Sequence, residues 1–379
     1  WRSASCWAAA ARPRPPSPDW RPEMLGKHSL AALAWMLPLA LATAAHAAVP
    51  VEVRQDGTVV VPAHEAPSSN LMSPEGNASR VEHILTERSL KGRSIDETNA
   101  ALFGPRLDRA KALYAVDIRD ETIGGVHVRI YEPKAGVAPA MRGRVLLHVH
   151  GGGFVGCFNE CGGLEAIPIA AVAGVKVISI DYRLAQQAAF PAASEDVAAV
   201  YREVLKSTPA RRIGLYGCSA GGLLTAQSLA WFQIHGLPAP GAAGVFCAGG
   251  DPGMGGDSRL TGMILGDGEA PDPQPVAAPA GPPRLGYMRG AAADDPAAFP
   301  AQNPATLAKF PPTLVIVGTR DFALSSAVSL HSRLVASGVQ AQLNVWEGGR
   351  HAFFYDVRVP ESREVYKVVA DFFTARLGR

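Results

Sequence analysis

From residue 125 onward, short apolar runs alternate with longer helical stretches, and this alternation constrains the fold more than any other feature of the chain. GVHVRIYEP reads as an edge strand with period-two alternation, and RVLLHVH (144–150) and VKVISID (175–181) as buried strands. RIGLYG (212–217), GAAGVFCAGG, TLVIVGT (313–319) and AQLNVWEG continue the strand series. Between them, CGGLEAIPIAAVAG reads as a helix ending at Gly174, SEDVAAVYREVLK as an amphipathic helix with Ser194 at its N-cap, and AGGLLTAQSLAWFQIHG as a helix closed by Gly236. ALSSAVSLHSRLVASG and ESREVYKVVADFFTARL are the last two helices. Strands and helices that alternate over short connections predict an α/β fold, a mainly parallel sheet with helices on both faces.

The flanks read differently. Residues 48–120 are polar and irregular, with helical stretches such as SIDETNAALFG opened by Ser94. The series is interrupted between 251 and 310, where GEAPDPQPVAAPAGPPR predicts a surface loop or part of a lid. At the start of the chain, residues 1–23 are Arg/Pro-rich and aperiodic. Lys27 and His28 then precede LAALAWMLPLALA and AHA (45–47), the order of a secretory signal and its cleavage site. The expected natural start is Met24, with residues 1–23 an upstream extension of the reading frame, 24–47 a signal peptide, and export to the periplasm or medium. The apolar run is short for a membrane span and Pro38 interrupts it.

A net charge of +2 gives no electrostatic footprint for nucleic acid. Five cysteines, at 6, 157, 161, 218 and 247, are too few for a disulfide scaffold in 379 residues. Cys157 and Cys161 fit a bridge or two inert thiols on one helical turn equally well. No second Cys/His cluster accompanies them, so no metal site is expected.

The chemistry concentrates in GLYGCSAGG (214–222), where two nucleophile types, Cys218 and Ser219, stand side by side. Glycines flank Ser219 at minus two and plus two, between a strand and a helix, which is the pattern of a nucleophile elbow. The same register around Cys218 would place Tyr216 at minus two, so Ser219 is the candidate and Cys218 a packing residue. A serine needs a base and the base needs a carboxylate. His351 follows the strand AQLNVWEG, and Asp321 follows TLVIVG; Asp251 is the second candidate for the acid. HGGGF (150–154) follows a buried strand and offers the backbone N–H groups of Gly152 and Gly153, with that of Ala220, to a developing oxyanion. His150 reads as an organiser of that loop, and histidines 64, 83, 127, 235 and 331 as surface or packing residues.

Together with DYRLAQQAAFPAASED (181–196), FPPTLVIVGTRD and GGRHAFF, these segments resemble the hormone-sensitive-lipase-like family of α/β-hydrolase esterases over about residues 125–379. The resemblance implies the α/β-hydrolase fold, a lid from the N-terminal segment and the central insertion, and a Ser219–Asp321–His351 triad. It also implies an oxyanion hole of Gly152, Gly153 and Ala220, short- to medium-chain ester substrates, and no cofactor or metal. Three positions depart from the family pattern: Cys218 replaces an acidic residue, Gln186–Gln187 replace Pro-Glu, and ALSS follows Asp321 where a second acid is common. An amidase or peptidase would use the same apparatus, and a non-catalytic small-molecule binder would use the same fold. Oligomeric state is not legible.

Overall fold

The computed structural model describes residues 51–63, 65–250, 255–269 and 286–378. Residues 1–47, where an upstream extension and a signal peptide are expected, and Asp251 lie outside them. The chain divides into two units, 1–64 and 65–379. In the first, β1 (Glu52–Val53) and β2 (Val59–Val60) form a small antiparallel pair.

The second unit opens with helices α1 (Pro74–Ser89) and α2 (Ile95–Leu113). Ser94 caps α2 through a reciprocal capping box with Glu97. Strands β3 (Val116–Ile123), β4 (Val126–Pro133) and β5 (Val145–Val149) follow, then α3 (Glu160–Ala173), β6 (Lys176–Ile180) and α4 (Ala192–Leu205). Next come β7 (Ile213–Cys218), α5 (Ala220–Ile234), β8 (Ala242–Phe246) and the short helices α6 (Ser258–Gly262) and α7 (Pro304–Leu307). The chain closes with β9 (Thr313–Arg320), α8 (Leu324–Ala336), β10 (Ala341–Arg350) and α9 (Pro360–Arg376).

One eight-stranded sheet runs in the order β10-β9-β8-β7-β5-β6-β4-β3. Pairs from β10 to β6 are parallel, and β4 pairs antiparallel with both β6 and β3. The apolar runs are continuous because both faces are covered, and period two sorts their side chains between two cores. Val145, Leu147 and Val149 of β5 join α4, α5 and α8, whereas Leu146 faces α3 and α9. Ile213 and Leu215 of β7 point to the first core, and Tyr216 and Cys218 to the second.

Three expectations are corrected. GVHVRIYEP is an interior strand, because VDIRDETI forms β3 outside it through the turn at Gly124–Gly125. β3 is exposed and charged along its length, so it carries no apolar alternation; its Arg119 pairs with Glu121 and Glu132. Such charge is how an edge strand resists pairing with other chains. The SIDETNAALFG helix opened by Ser94 is present as α2, but the rest of the segment is more ordered than its polarity suggested, with a second capped helix, α1, before it and β3 after it. Ser194 is not an N-cap: α4 begins two residues earlier, after Pro191, and Ser194 is buried inside it. In the central insertion, Tyr287 is buried and stacks on Phe154 at 4.3 Å between ring centroids, while most of residues 255–269 stay exposed or half-buried.

Asp356 ties α1 to the segment that follows β10. It accepts from Ser79 Oγ (3.0 Å) and from the N–H and guanidinium of Arg358, which also reaches Glu82 (2.7 Å). Burial pushes the Asp356 carboxyl up, but the Arg358 hydrogen bonds and charge, with Ser79, outweigh it and hold it at about 2. An unfolded Asp ionises near ~3.9, so this stabilisation is complete above that pH and is lost as pH falls toward 2. We expect Asp356→Asn to lose on the order of 2 kcal/mol near neutrality. Urea midpoints of wild type and variant should converge as pH falls from about 4 to about 2; parallel curves would refute the linkage.

Candidate active site

Ser219 sits between the last residue of β7 and the first of α5, at φ 59° and ψ −122°. A non-glycine residue holds such a conformation only when its surroundings enforce it. Here the enforcing contact is the neighbouring strand. A Cβ on Gly217 would lie 2.2 Å from the carbonyl oxygen of Val149 in β5, and one on Gly221 only 1.9 Å from the same atom. The glycines at minus two and plus two are therefore the condition for packing the elbow against β5.

In the sheet order, β7, β8, β9 and β10 lie side by side and parallel, so the residues after β7, β9 and β10 meet at one carboxyl edge. Asp321 follows β9 and His351 follows β10. His351 Nε2 is 2.8 Å from Ser219 Oγ, and His351 Nδ1 is 2.8 Å from Asp321 Oδ1. Asp321 is fully buried, and its Oδ1 also accepts the N–H of Ala323 at 2.8 Å. Burial pushes its carboxyl up, but the His351 charge and hydrogen bond, and the Ala323 N–H, overcome that and lower it. The ring of Phe322 stacks on His351 at 4.1 Å. That contact joins a residue to its sequence neighbour's partner, and nothing in the sequence marks it.

Cys218 stays out of this group. Its side chain points into the core shared by α3 and α9 beside Cys247, and burial pushes both thiols up, Cys218 well above the ordinary cysteine value. Such thiols are protonated and unreactive. Ligand atoms of Cys247, Asp321 and His351 lie within 4.8 Å of one another, the spacing of a possible metal cluster. Both ring nitrogens of His351 are engaged, by Asp321 and by Ser219, so neither is a free ligand.

The HGGGF loop faces Ser219. Gly152 holds φ 106°, and a Cβ there would strike the Gly156 carbonyl at 2.3 Å and Cys157 Cβ at 2.7 Å. The N–H groups of Gly152, Gly153 and Ala220 take no acceptor among the described residues. Cys157 and Cys161, left open between bridge and thiols, are a disulfide that closes this loop onto the first turn of α3. His150 organises the loop as its sequence predicts. It stacks on Tyr182 (4.3 Å) and bonds the Gly151 carbonyl, and burial, with His148 nearby, pushes it down to about 3 against the effect of that bond.

Two of the family departures find local partners. Gln186 bonds the Val155 carbonyl (2.8 Å) and Gln187 accepts the Leu184 N–H (2.7 Å), bracing the loop. Ser325 of ALSS exchanges hydrogen bonds with Ser258, joining α6 to α8.

A cavity of about 370 Å³ opens over Ser219 and His351. Its far wall comes from α1 and α2, through His83, Glu87, Leu102 and Phe103, which the polar reading of that segment missed. His83, read as a surface or packing residue, is buried in this wall. Arg106 lies 3.1 Å from His83 Nδ1 and, as a donor only, makes that nitrogen the acceptor, so the proton sits on Nε2, 3.5 Å from Glu87. Arg350 and Asp267 pair in the same wall (3.1 Å).

A parallel sheet with a Ser–His–Asp chain at its carboxyl edge defines an α/β-hydrolase architecture, and a family model described as alpha/beta hydrolase fold matches residues 146–355. The chain belongs to this α/β-hydrolase family, in its hormone-sensitive-lipase-like branch. An acetyl-hydrolase of Streptomyces hygroscopicus is 29% identical over 248 residues, 64% of this chain and 79% of that protein. A crystallised esterase is similar over 84% of this chain and 99% of its own, with a TM-score of 0.70 and 29% identity. An esterase from the bacterial hormone-sensitive lipase family is similar over 81% and 99%, with a TM-score of 0.68 and 26% identity.

Proposed function

We propose that this protein is a serine carboxylic-ester hydrolase that works through an acyl-enzyme on short- to medium-chain esters. The observation that carries the reading is the unbroken chain Ser219 Oγ–His351 Nε2, 2.8 Å, and His351 Nδ1–Asp321 Oδ1, 2.8 Å. His351 takes the proton of Ser219 as the hydroxyl attacks the ester carbonyl, and Asp321 stabilises the resulting imidazolium. The tetrahedral oxyanion is received by the N–H groups of Gly152, Gly153 and Ala220, the last at the positive end of α5. Collapse expels the alcohol, protonated by His351. Water activated by the same imidazole then releases the acid.

A cavity of about 370 Å³ suits a short acyl or alcohol chain, and the names of the similar proteins, an acetyl-hydrolase and esterases, point the same way. The test is turnover of p-nitrophenyl acetate, butyrate, octanoate and laurate beside the matching p-nitroanilides. Activity should peak at the shorter esters and fall by about tenfold or more at laurate. Preference for anilides would make the protein an amidase, and absence of any turnover would make it a binder.

Export of the mature chain is part of the proposal, supported by the Cys157–Cys161 disulfide, which suits an oxidising compartment. Expression from Met24 followed by fractionation decides it: recovery in the cytosol at full length would refute it.

A further inference from the structure

We propose that Glu165 is a positioning residue for catalysis, a single buried carboxylate that sets the oxyanion loop, the nucleophile elbow and the segment behind His351 in mutual register. The inference rests on the serine-hydrolase reading above. Glu165 lies within the apolar run GLEAIPIAAVA of α3 and is 3% exposed. A carboxylate in such a place is costly unless its oxygens are fully hydrogen-bonded. Among the described residues no lysine or arginine pairs with it.

Its partners are instead four donors. Oε1 accepts the Gly151 N–H at 3.0 Å and the Tyr355 hydroxyl. Oε2 accepts the Cys218 N–H at 3.1 Å and His148 Nε2 at 2.8 Å, while His148 Nδ1 meets Ser179 Oγ at 2.9 Å. A merely structural anchor has no reason to choose these places. Gly151 directly precedes Gly152 of the oxyanion loop. Cys218 directly precedes Ser219, and Tyr355 stands four residues beyond His351. The convergence is tight: a Cβ on Gly151 would lie 3.1 Å from both the Cys218 carbonyl oxygen and the Tyr355 hydroxyl, and 3.2 Å from Glu165 Oε1.

A carboxylate is an acceptor at both oxygens, whereas the amide of glutamine is an acceptor at one end and a donor at the other. In Glu165→Gln the amide NH₂ must face a backbone N–H in either orientation, that of Gly151 or that of Cys218. Neither can become an acceptor. The variant therefore displaces the oxyanion loop or the elbow without changing the volume of the core, and the cost falls on the transition state.

The test uses the purified full chain as wild type, Glu165→Gln and Tyr355→Phe, with circular dichroism as the check of folding. We expect kcat on p-nitrophenyl butyrate to fall about 10²-fold in Glu165→Gln, with KM within about threefold, as for a misplaced oxyanion donor. Tyr355→Phe, which removes one of the four donors, should lose about tenfold in kcat. Affinity for a trifluoromethyl ketone should fall in parallel. Ser219 Oγ adds to its carbonyl carbon, the serine proton passes to His351 Nε2, and the carbonyl oxygen becomes the oxyanion, so this ligand reads the same geometry.

A folded Glu165→Gln with kcat near wild type, or with kcat lost and ketone affinity kept, overturns the proposal. If Glu165→Gln does not fold, an unchanged kcat in Tyr355→Phe overturns it. Labelling by a fluorophosphonate separates this inference from the ester reading. Wild type that labels at Ser219 but hydrolyses no ester refutes the ester reading, and the labelling rate of Glu165→Gln then decides the role of Glu165. Wild type that does not label refutes both.

Discussion

We expect Ser219→Ala to lower kcat on p-nitrophenyl butyrate by on the order of 10⁵-fold, and Cys218→Ala to keep activity within about threefold of wild type. Both residues carry nucleophilic atoms, so the contrast isolates what the elbow does. Ser219 is lifted at φ 59° into the cavity, with His351 2.8 Å from its oxygen. Cys218 ends a strand whose side chains alternate between faces, and its sulfur is buried in the second core beside Cys247. Residual activity in Ser219→Ala reflects the oxyanion donors and binding alone. The assay pairs kcat with fluorophosphonate labelling, and equal turnover by Ser219→Ala and wild type would sink the mechanism. A large loss in Cys218→Ala would show that the thiol does more than fill space.

Asp321→Ala is expected to cost on the order of 10⁴-fold in kcat with little change in KM, because the imidazole loses both its tautomer and its counter-charge. Asp321→Asn keeps an acceptor for the imidazole but not the charge, and its loss should fall below that of Asp321→Ala. The reason lies in the two oxygens. Oδ1 accepts from both His351 and Ala323, whereas Oδ2 takes no hydrogen bond, and the Cys247 thiol lies beside the carboxyl group. An asparagine carbonyl can take the place of Oδ1 and keep the tautomer, with its NH₂ turned toward the thiol. What remains missing is the charge that stabilises the imidazolium. Equal losses in the two variants would place the whole contribution in that charge, and a loss below about tenfold in Asp321→Ala would remove Asp321 from the mechanism.

Much of the fold was legible because its signals are local. Strands β5, β7 and β8 are buried at every residue since both faces are covered, and α3 ends at Gly174 in the left-handed conformation, where its sequence places the stop. The edge strand β3 was not legible, because charge on both of its faces removes the alternation that marks a strand. α1 and α2 were obscured in the same way. Their buried side chains are few, and it is packing against the rest of the chain that makes Leu102 and Phe103 a cavity wall.

The candidate site divides along the same line. Sequence alone marked the serine at the elbow and the glycine-rich loop, because each answers to a backbone requirement within a few residues of itself; Asp321 and His351 were candidates by their places after strands, with Asp251 a second choice for the acid, and the fold brings Asp321 and His351 to Ser219. Tertiary structure decided the rest: the bridging of Cys157 to Cys161, Phe322 on the imidazole, His83 in the cavity wall, and Glu165 beneath the catalytic loops. Apart from the bridge, whose cysteines are four residues apart, these depend on partners that are distant in the chain, such as Glu165 with Cys218 and Tyr355, and chain order carries no signal for a contact that only the stacking of strands and helices creates.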